Sequence, residues 1–422
     1  MAFPKKPKPV RQVYLDHASA TPLDPYVLKA MKPYLTNEFA NPSGLSSASV
    51  RVRQAIDKAR DAFAGILDTQ SDTIIFTSGG TESCNLAILG LMKSLKHKNI
   101  KTLGHIVTTQ IEHHAVLNPI RQLEEEGWEV TYLPVNEQGT ISKEQVMEAV
   151  RPDTVLVSVM YANNEIGTIE PIVEIGKEIL KWRKANKAPY PYFHTDACQA
   201  AGYLDLHVDR LHVDLLSLNG NKIYGPKGVG ILYKRRGVPL EPIMYGGGQE
   251  QGLRSGTENV AGIIGFAKAL ELTRENLEFG IWNLERLRNY FWGEIQKKIP
   301  DVVLNGPAIV MDPSPSRRGK GEVSTYVKVD RLPNNLNITF KGIEAEALIL
   351  YLDSYGIVAA SGSACASTSD EASHVLLACG VKGQDVRSSV RFTLGKMTTK
   401  PDIDYVMKYL PKIVEELRRV RG

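Results

Sequence analysis

The sequence predicts an α/β fold: a large domain on a mostly parallel, seven-stranded sheet, followed by a smaller α+β C-terminal domain. Three observations carry that expectation. Between residues 73 and 233, short β-rich runs alternate with amphipathic helical stretches, the pattern of parallel strands covered on both faces. From about 260 to 299 the chain is helical in pattern with little Gly or Pro, and reads as a connector. Beyond it, strands and helices mix over a shorter stretch. The expected organisation is a flexible Lys/Pro-rich tail over 1–12, a large domain over 13–262 and a small domain over 263–422.

The strand-like runs are Thr73–Thr77, His105–Thr109, Glu129–Leu133, Thr154–Met160, Tyr192–Asp196, Val213–Leu218 and Val229–Tyr233. Each is short, apolar or β-branched, and closed by turn residues. Leu117–Glu126, Lys143–Val150 and Ile172–Lys184 carry the helical spacing between them. In the second part, Asn337–Phe340 and Val390–Leu394 read as strands, and Glu344–Tyr355 and Asp402–Arg421 as helices. Asp312–Asn335 is polar and rich in Pro, Arg and Gly, and reads as a loop or hairpin excursion. Ligands of such sheets bind beyond the carboxyl ends of the strands. Ser78–Thr81, Asn163, Asn164, Asp196 and Lys222 all fall there.

Composition narrows the function classes. The 422 residues are 43% hydrophobic and 23% charged, with a net charge of +4, too small to argue for nucleic acid or a membrane surface. No apolar run approaches the roughly 20 residues of a bilayer span. Four widely spaced cysteines, Cys84, Cys198, Cys365 and Cys379, form no CxxC pair or disulfide framework, which suits a reducing cytoplasm.

The chemistry concentrates in a few segments. In SLNGNKIYGPKG an apolar strand delivers Lys222 into a turn, where lost hydration makes an amine a carbonyl nucleophile. Asp196 closes another strand. Strand-end lysine and aspartate are what a pyridoxal phosphate (PLP) site requires, the amine for the aldehyde and the carboxylate for the pyridine nitrogen. Taken singly, the lysine reads as a solvated surface group and the aspartate as a cap. FTSGGTES is a strand, a Gly turn and a helix start, able to cup a phosphate with backbone amides and the hydroxyls of Ser78 and Thr81; a plain capped turn reads the same way.

His113 sits where an imidazole could stack on a planar cofactor and move protons, or merely cap a helix. Zinc is poorly supported, since His113 and His114 are adjacent and diverge and no HExxH is present. His207 and His212 read as turn or cap residues. Cys365 lies among small residues in ASGSACAS, a setting for a reactive thiol or an incidental cysteine. Cys84, Cys198 and Cys379 read as small buried hydrophobes. Arg391, on a strand in SSVRFTL, could bind a carboxylate or make a structural salt bridge. The Gly-rich GGGQEQGLRSGTEN is a linker or a dimer-contact loop.

Taken in order, YLDHASATP, NPS, TSGGTESCNLA, EHHAVL, NNEIG, HTDACQA, GNKIYGPKG, GGGQEQGLRSGTEN, SGSAC and SSVRFTLG resemble the cysteine desulfurases of the NifS/IscS-like type, in the class V aminotransferase branch of the fold-type I PLP-dependent enzymes. The resemblance runs from residue 14 to the C-terminus. It implies that Lys222 makes the imine with PLP and moves protons, Asp196 meets the pyridine nitrogen, and Gln199 lies near the 3′ oxygen. Asn164 would lie between that oxygen and the substrate carboxylate, and His113 would stack on the ring as acid–base. Gly80, Thr81, Asn219 and Asn221 would bind the phosphate, with Thr257 reaching the phosphate of a neighbouring subunit in a homodimer. Arg391, and more weakly Asn41, would hold the carboxylate of L-cysteine. Cys365 would take the sulfur as a persulfide and pass it to an acceptor protein, an iron–sulfur scaffold or a sulfur carrier. Asn219 and Asn221 depart from the serine and histidine usual at those positions. The competing expectations are a selenocysteine lyase or ordinary class V aminotransferase, and a non-catalytic PLP-binding platform that regulates another enzyme.

Overall fold

The computed structural model describes residues 3–97, 104–275, 277–309, 330–362 and 372–421. The chain enters through β1 (Val13–Tyr14) and two helices, α1 (Pro25–Thr36) and α2 (Ser47–Leu67). Asp24 caps α1, its carboxylate accepting from the Tyr26 amide at 2.8 Å with Pro25 at the first helical position. The large sheet then unfolds as β2 (Ile74–Thr77), α3 (Gly80–His97), β3 (His105–Thr109), α4 (His114–Glu125), β4 (Glu129–Leu133), α5 (Lys143–Ala149), β5 (Thr154–Ser158), α6 (Ile172–Asn186), β6 (Tyr192–Asp196), α7 (Val208–Leu211), β7 (Leu215–Asn219) and β8 (Gly230–Lys234).

The seven strands are ordered β2-β8-β7-β6-β5-β3-β4. Only β8 runs against its neighbours; the pairs from β7 to β4 are parallel. The carboxyl ends of β2, β3, β5, β6 and β7 therefore share one edge. The strand centres are buried on both faces, which is why they read as continuous apolar runs rather than alternating ones. One face packs Phe63, Ile175, Ile263 and Phe266 from α2, α6 and α8 (Val260–Glu275); the other packs Leu86, Leu91, Val116 and Ile120 from α3 and α4.

After α8 comes α9 (Leu277–Lys298), so the expected connector is two helices. They lead to β9 (Val302–Asn305), β10 (Asn335–Phe340), α10 (Ala345–Asp353), β11 (Ile357–Val358), β12 (Ala360–Ser361), α11 (His374–Ala378), β13 (Ser389–Thr393) and α12 (Lys400–Arg421). A four-stranded sheet, β12-β13-β10-β9, is antiparallel throughout, and a second core gathers on α9, α10 and α12. Val13 and Leu15 belong to that second core, because β1 pairs with β11. The N-terminal strand thus joins the C-terminal part of the chain before α1 joins the large sheet.

Two expectations are revised. Residues 312–329 of the polar excursion lie outside the described residues, but Arg331–Asn335 are buried, and the Arg331 guanidinium donates to Pro307 O at 2.7 Å and to Asn335 Oδ1 at 3.2 Å. A buried cation satisfied by backbone oxygens is invisible to a composition argument. The segment 3–12 has little regular structure, yet Phe3 stacks on Tyr351 at 4.1 Å and Tyr355 donates to Pro4 O.

Candidate active site

Lys222 ends a single 3-10 turn directly after β7. Gly220 permits that turn: an added Cβ would meet Pro226 O at 2.9 Å and Val229 at 3.1 Å. The Lys222 amine donates to Ala18 O at 2.9 Å and Ser19 O at 2.7 Å. Gln199 donates to the same Ala18 oxygen at 3.0 Å. The segment 16–21 is thus a strap across the carboxyl edge of the large sheet, and Thr21 pins its far end, donating to Asn221 O while accepting from the Tyr224 amide.

The other end of the strap is zipped to β13. His17 donates to Thr393 O at 3.3 Å, Thr393 to Leu15 O at 2.7 Å, and Ala18 to Thr393 Oγ1 at 2.9 Å. Two residues back on the same strand face lies Arg391, only 2% exposed. It donates to Asp16 Oδ1 at 2.8 Å, Ser19 Oγ at 2.7 Å and Asn164 O at 3.0 Å, and its Nε has no hydrogen-bond partner among the described residues. Ser19 therefore meets both Lys222 and Arg391, groups 169 positions apart that no local pattern could bring together.

Asp196 closes β6, buried, with Oδ1 accepting from the Cys198 amide at 2.9 Å. Cys84 and Cys198 lie beside it; burial, then the Asp196 charge, pushes both thiols well above the usual range. They are buried, as is Cys379, in keeping with their expected role as small apolar side chains. Cys365 lies outside the described residues.

His113 is the N-cap of α4, its Nδ1 accepting from the Ala115 amide at 3.0 Å. The capping alternative is therefore realised, and it fixes the neutral ring with its proton on Nε2. Burial lowers the His113 pKa; Asp196 opposes that, and Lys222, His114 and His374 reinforce it. The adjacent Glu112 is fully buried and accepts from Thr109 Oγ1 at 2.9 Å and the Met160 amide at 2.8 Å. Burial pushes its carboxyl well above the usual range, and its two hydrogen bonds brace the ends of β3 and β5.

Asn163 is structural: its side chain accepts from the Glu165 and Ile166 amides at 2.8 and 3.0 Å and donates to Ile111 O. That turn presents Asn164 toward Arg391. Glu165, also buried, accepts from Ser373 at 2.6 Å.

At the start of α3, Gly80 lies so close to Cys198 and Asn219 that an added Cβ would stand 2.6 Å from Cys198 Sγ and 3.5 Å from Asn219 Cβ. Thr81 is exposed beside it. Ser78 turns its amide to Glu82 at 2.8 Å; burial raises the Glu82 carboxyl, but Arg254 at 2.9 Å and Ser78 outweigh it and hold the group below its usual value. Arg254 thereby ties the Gly-rich loop to α3. Thr257 in that loop is exposed, and Asn41 is exposed with its side chain capping the Ser43 amide at 2.9 Å. The His207/His212 pair stays with α7: His207 precedes it, and His212 follows it in the left-handed region at φ 56.

The structure brings the expected Lys222, Asp196, Gln199, His113, Gly80 and Arg391 to one edge of the large sheet, and places beside them Asp16, Ser19, Glu112 and Glu165, for which the sequence suggested no role. The signal was YLDHASATP itself, whose polar residues sit between a strand and a proline.

Residues 13–312 and 319–406 match the family Aminotransferase class-V. The chain is 46% identical to "Cysteine desulfurase IscS" of Dictyoglomus turgidum over 97% of this chain and 96% of that one. Among solved structures it is similar to a "NIFS-LIKE PROTEIN", with TM-score 0.83, 33% identity and coverage of 96% and 100% of the two chains. "SspA in complex with cysteine" superposes with TM-score 0.73 at 33% identity, covering 92% and 100%. The chain belongs to the class-V aminotransferase family.

Membership of that family implies a pyridoxal phosphate cofactor, and the residues present fit one. An amine and a carboxylate face one edge; a helix N-terminus opens at Gly80, where a Cβ has no room. Next to Lys222, the buried Asn221 Oδ1 has no hydrogen-bond partner among the described residues. Among the described residues no cluster could hold a metal ion, and no helix is long and apolar enough to cross a membrane.

Proposed function

We propose that this chain is a PLP-dependent cysteine desulfurase that converts L-cysteine to L-alanine and retains the sulfur as a persulfide on Cys365. One observation carries the reading. The Lys222 amine and the Arg391 guanidinium both touch Ser19, so the group that would hold the cofactor and the group that would grip an α-carboxylate stand one residue apart. Such spacing suits a small α-amino acid.

When bound, PLP supplies the electron sink that makes the substrate's Cα–H and Cβ–S bonds breakable. The chain does the rest. Lys222 gives the amine and moves protons at the substrate carbons. Asp196 would keep the pyridine nitrogen protonated, and Gln199 and Asn164 would be the partners of the 3′ oxygen. His113, with Nδ1 taken by the Ala115 amide and its proton on Nε2, would be the acid–base group against the ring. The Gly80–Thr81 amides, Asn219 and Asn221 would receive the phosphate. Arg391 holds the carboxylate, with Asn41 as a further candidate. The Cys365 thiolate takes the substrate sulfur; an S–S bond forms as the C–S bond breaks, and the three-carbon skeleton leaves as alanine. The sulfur then passes to an acceptor protein, such as an iron–sulfur scaffold or a sulfur carrier.

We also infer a homodimer, in which Thr257 completes the phosphate site of the partner. The exposed apolar side chains Tyr26, Leu35 and Phe39 on and after α1 support an interface there. The reading takes 13–262 and 263–422 as the two domains, and a cytoplasmic setting.

The test is incubation with PLP and L-cysteine, assaying alanine and persulfide. Lys222→Ala should abolish both products, and borohydride reduction of the wild type should leave the pyridoxyl label on Lys222. Cys365→Ala should keep the cofactor's visible band and lose the persulfide. Undiminished turnover in Cys365→Ala would favour an ordinary aminotransferase or a selenocysteine lyase. A wild type whose visible band does not respond to cysteine would favour a non-catalytic platform.

A further inference from the structure

Arg391 is a buried guanidinium whose surroundings are more crowded than a carboxylate receptor needs. Both hydrogens of one terminal nitrogen are taken, by Asp16 Oδ1 at 2.8 Å and Ser19 Oγ at 2.7 Å. Ser19 also donates to Asp16 Oδ1 at 2.9 Å, closing a three-membered ring of contacts. The other terminal nitrogen donates to Asn164 O at 3.0 Å and to Gly362 O at 3.4 Å. The donor left over is Nε, buried and without a partner among the described residues. An unpaired donor on a buried cation points to an anionic ligand.

Asp16 is anchored at its backbone, and its carboxylate is held by Ser19 and Arg391. The backbone on either side of it is bonded to β13, the strand that carries Arg391: Leu15 O accepts from Thr393, His17 donates to Thr393 O, and Ala18 donates to Thr393 Oγ1. Tyr14 also donates through its hydroxyl to Asp16 O at 3.0 Å. The negative charge is part of the wall on which Arg391 is mounted.

We propose that Asp16 is a specificity-determining residue that offsets the charge of Arg391 and thereby limits how tightly the site grips the carboxylate of an α-amino acid. The inference rests on the function proposed above, in which Arg391 receives that carboxylate. Its physical sense lies in the reaction. Substrate cysteine and product alanine carry the same carboxylate, so affinity gained on an uncompensated Arg391 would hold the product as firmly as the substrate and slow its release. A resident carboxylate beside the cation removes part of that attraction from both. Ser19 is a positioning residue in this scheme, keeping the Asp16 oxygen on the guanidinium while its backbone oxygen receives Lys222.

The test compares equilibrium binding of L-alanine and L-alaninamide to the cofactor-loaded protein, by calorimetry and by the change in the visible band, at one pH and ionic strength. The two ligands share the amine and side chain; only alanine carries the carboxylate. Wild type should bind alanine more tightly. In Asp16→Asn, alanine should bind roughly ten-fold tighter or more, since a unit charge is removed from a site of low effective dielectric. Alaninamide should change by no more than about three-fold, since it has no carboxylate to gain from the lost charge and its amine is one that alanine shares. If the asparagine variant does not fold, Asp16→Ser removes the same charge with a smaller side chain. Weaker or unchanged alanine binding in a folded neutral variant, with wild-type discrimination intact, overturns the proposal and leaves the function standing. Equal binding of alanine and alaninamide by the wild type overturns the carboxylate role of Arg391, and this proposal with it.

Discussion

Glu170→Gln offers a measurement whose size follows from burial. Glu170 sits at the base of the turn that presents Asn164, with its amide bonded to Tyr161 O at 3.0 Å and Asn163 bonded to Thr168 O above it. Its Oε2 accepts from the Ile141 amide at 3.0 Å, and Oε1 is buried with no partner among the described residues. Burial raises the carboxyl from 4.5 to about 8, against the opposing pull of that amide. The folded protein therefore keeps a proton there that the unfolded chain releases above pH 4.5. The stability this group contributes is fully present below its unfolded pKa and is lost as pH rises through the folded value.

Within that window the loss is about 1.4 kcal/mol per pH unit. Between pH 5.5 and 7.5 the wild type should lose roughly 2–3 kcal/mol relative to Glu170→Gln, whose amide does not titrate and can still accept from Ile141. Urea denaturation of both proteins at the two pH values gives the difference directly, whatever constant offset the amide introduces. Wild-type and variant stabilities that run parallel across this range would refute the neutral, buried acid.

Three further outcomes test the site. Gly80→Ala forces a Cβ to 2.6 Å from Cys198 Sγ, so cofactor affinity should fall by about ten-fold or more, and adding Cys198→Ala should restore part of it; no rescue would mean that the crowding lies elsewhere. In an NMR titration, His113 should change charge below pH 6.5, because burial and the Lys222 charge both lower it. Lys222→Ala should move that midpoint upward, and an unmoved midpoint would refute the electrostatic contact. Gly395→Ala would place a Cβ 2.1 Å from the ring of buried His17, so it should cost about 1–3 kcal/mol in thermal denaturation and weaken carboxylate binding through the displaced strap; wild-type stability would show that the strap can yield.

The central strands of the large sheet were legible because burial on both faces favours apolar and β-branched runs, and β3, β4 and β6 occupy the residues their pattern predicts, although edge strand β4 is only partly buried. Other ends shifted by a residue or two. α4 begins three residues before the expected Leu117, since His113 supplies the cap that a search for apolar spacing passes over. α1 and α2 drew no prediction, although Asp24-Pro25 and Ser46 are cap signals. The short strands β1, β11 and β12 were beyond reach: two residues carry no period.

By itself the sequence determined the kind of chemistry, because a nucleophilic amine, a strand-end carboxylate, a glycine at a helix start and a strand arginine are each tied to a local pattern. It also determined the edge on which they lie, since parallel strands put their carboxyl ends together. What only the tertiary structure decided is how the two halves of the site meet. Residues 16–21 belong to neither pattern, yet they bind β13 through backbone hydrogen bonds and receive Lys222 on backbone oxygens. Backbone groups are the same in every residue, so a contact made through them leaves no mark in composition or spacing. The pairing of Asp16 with Arg391, 375 positions away, appears only once the chain has closed on itself.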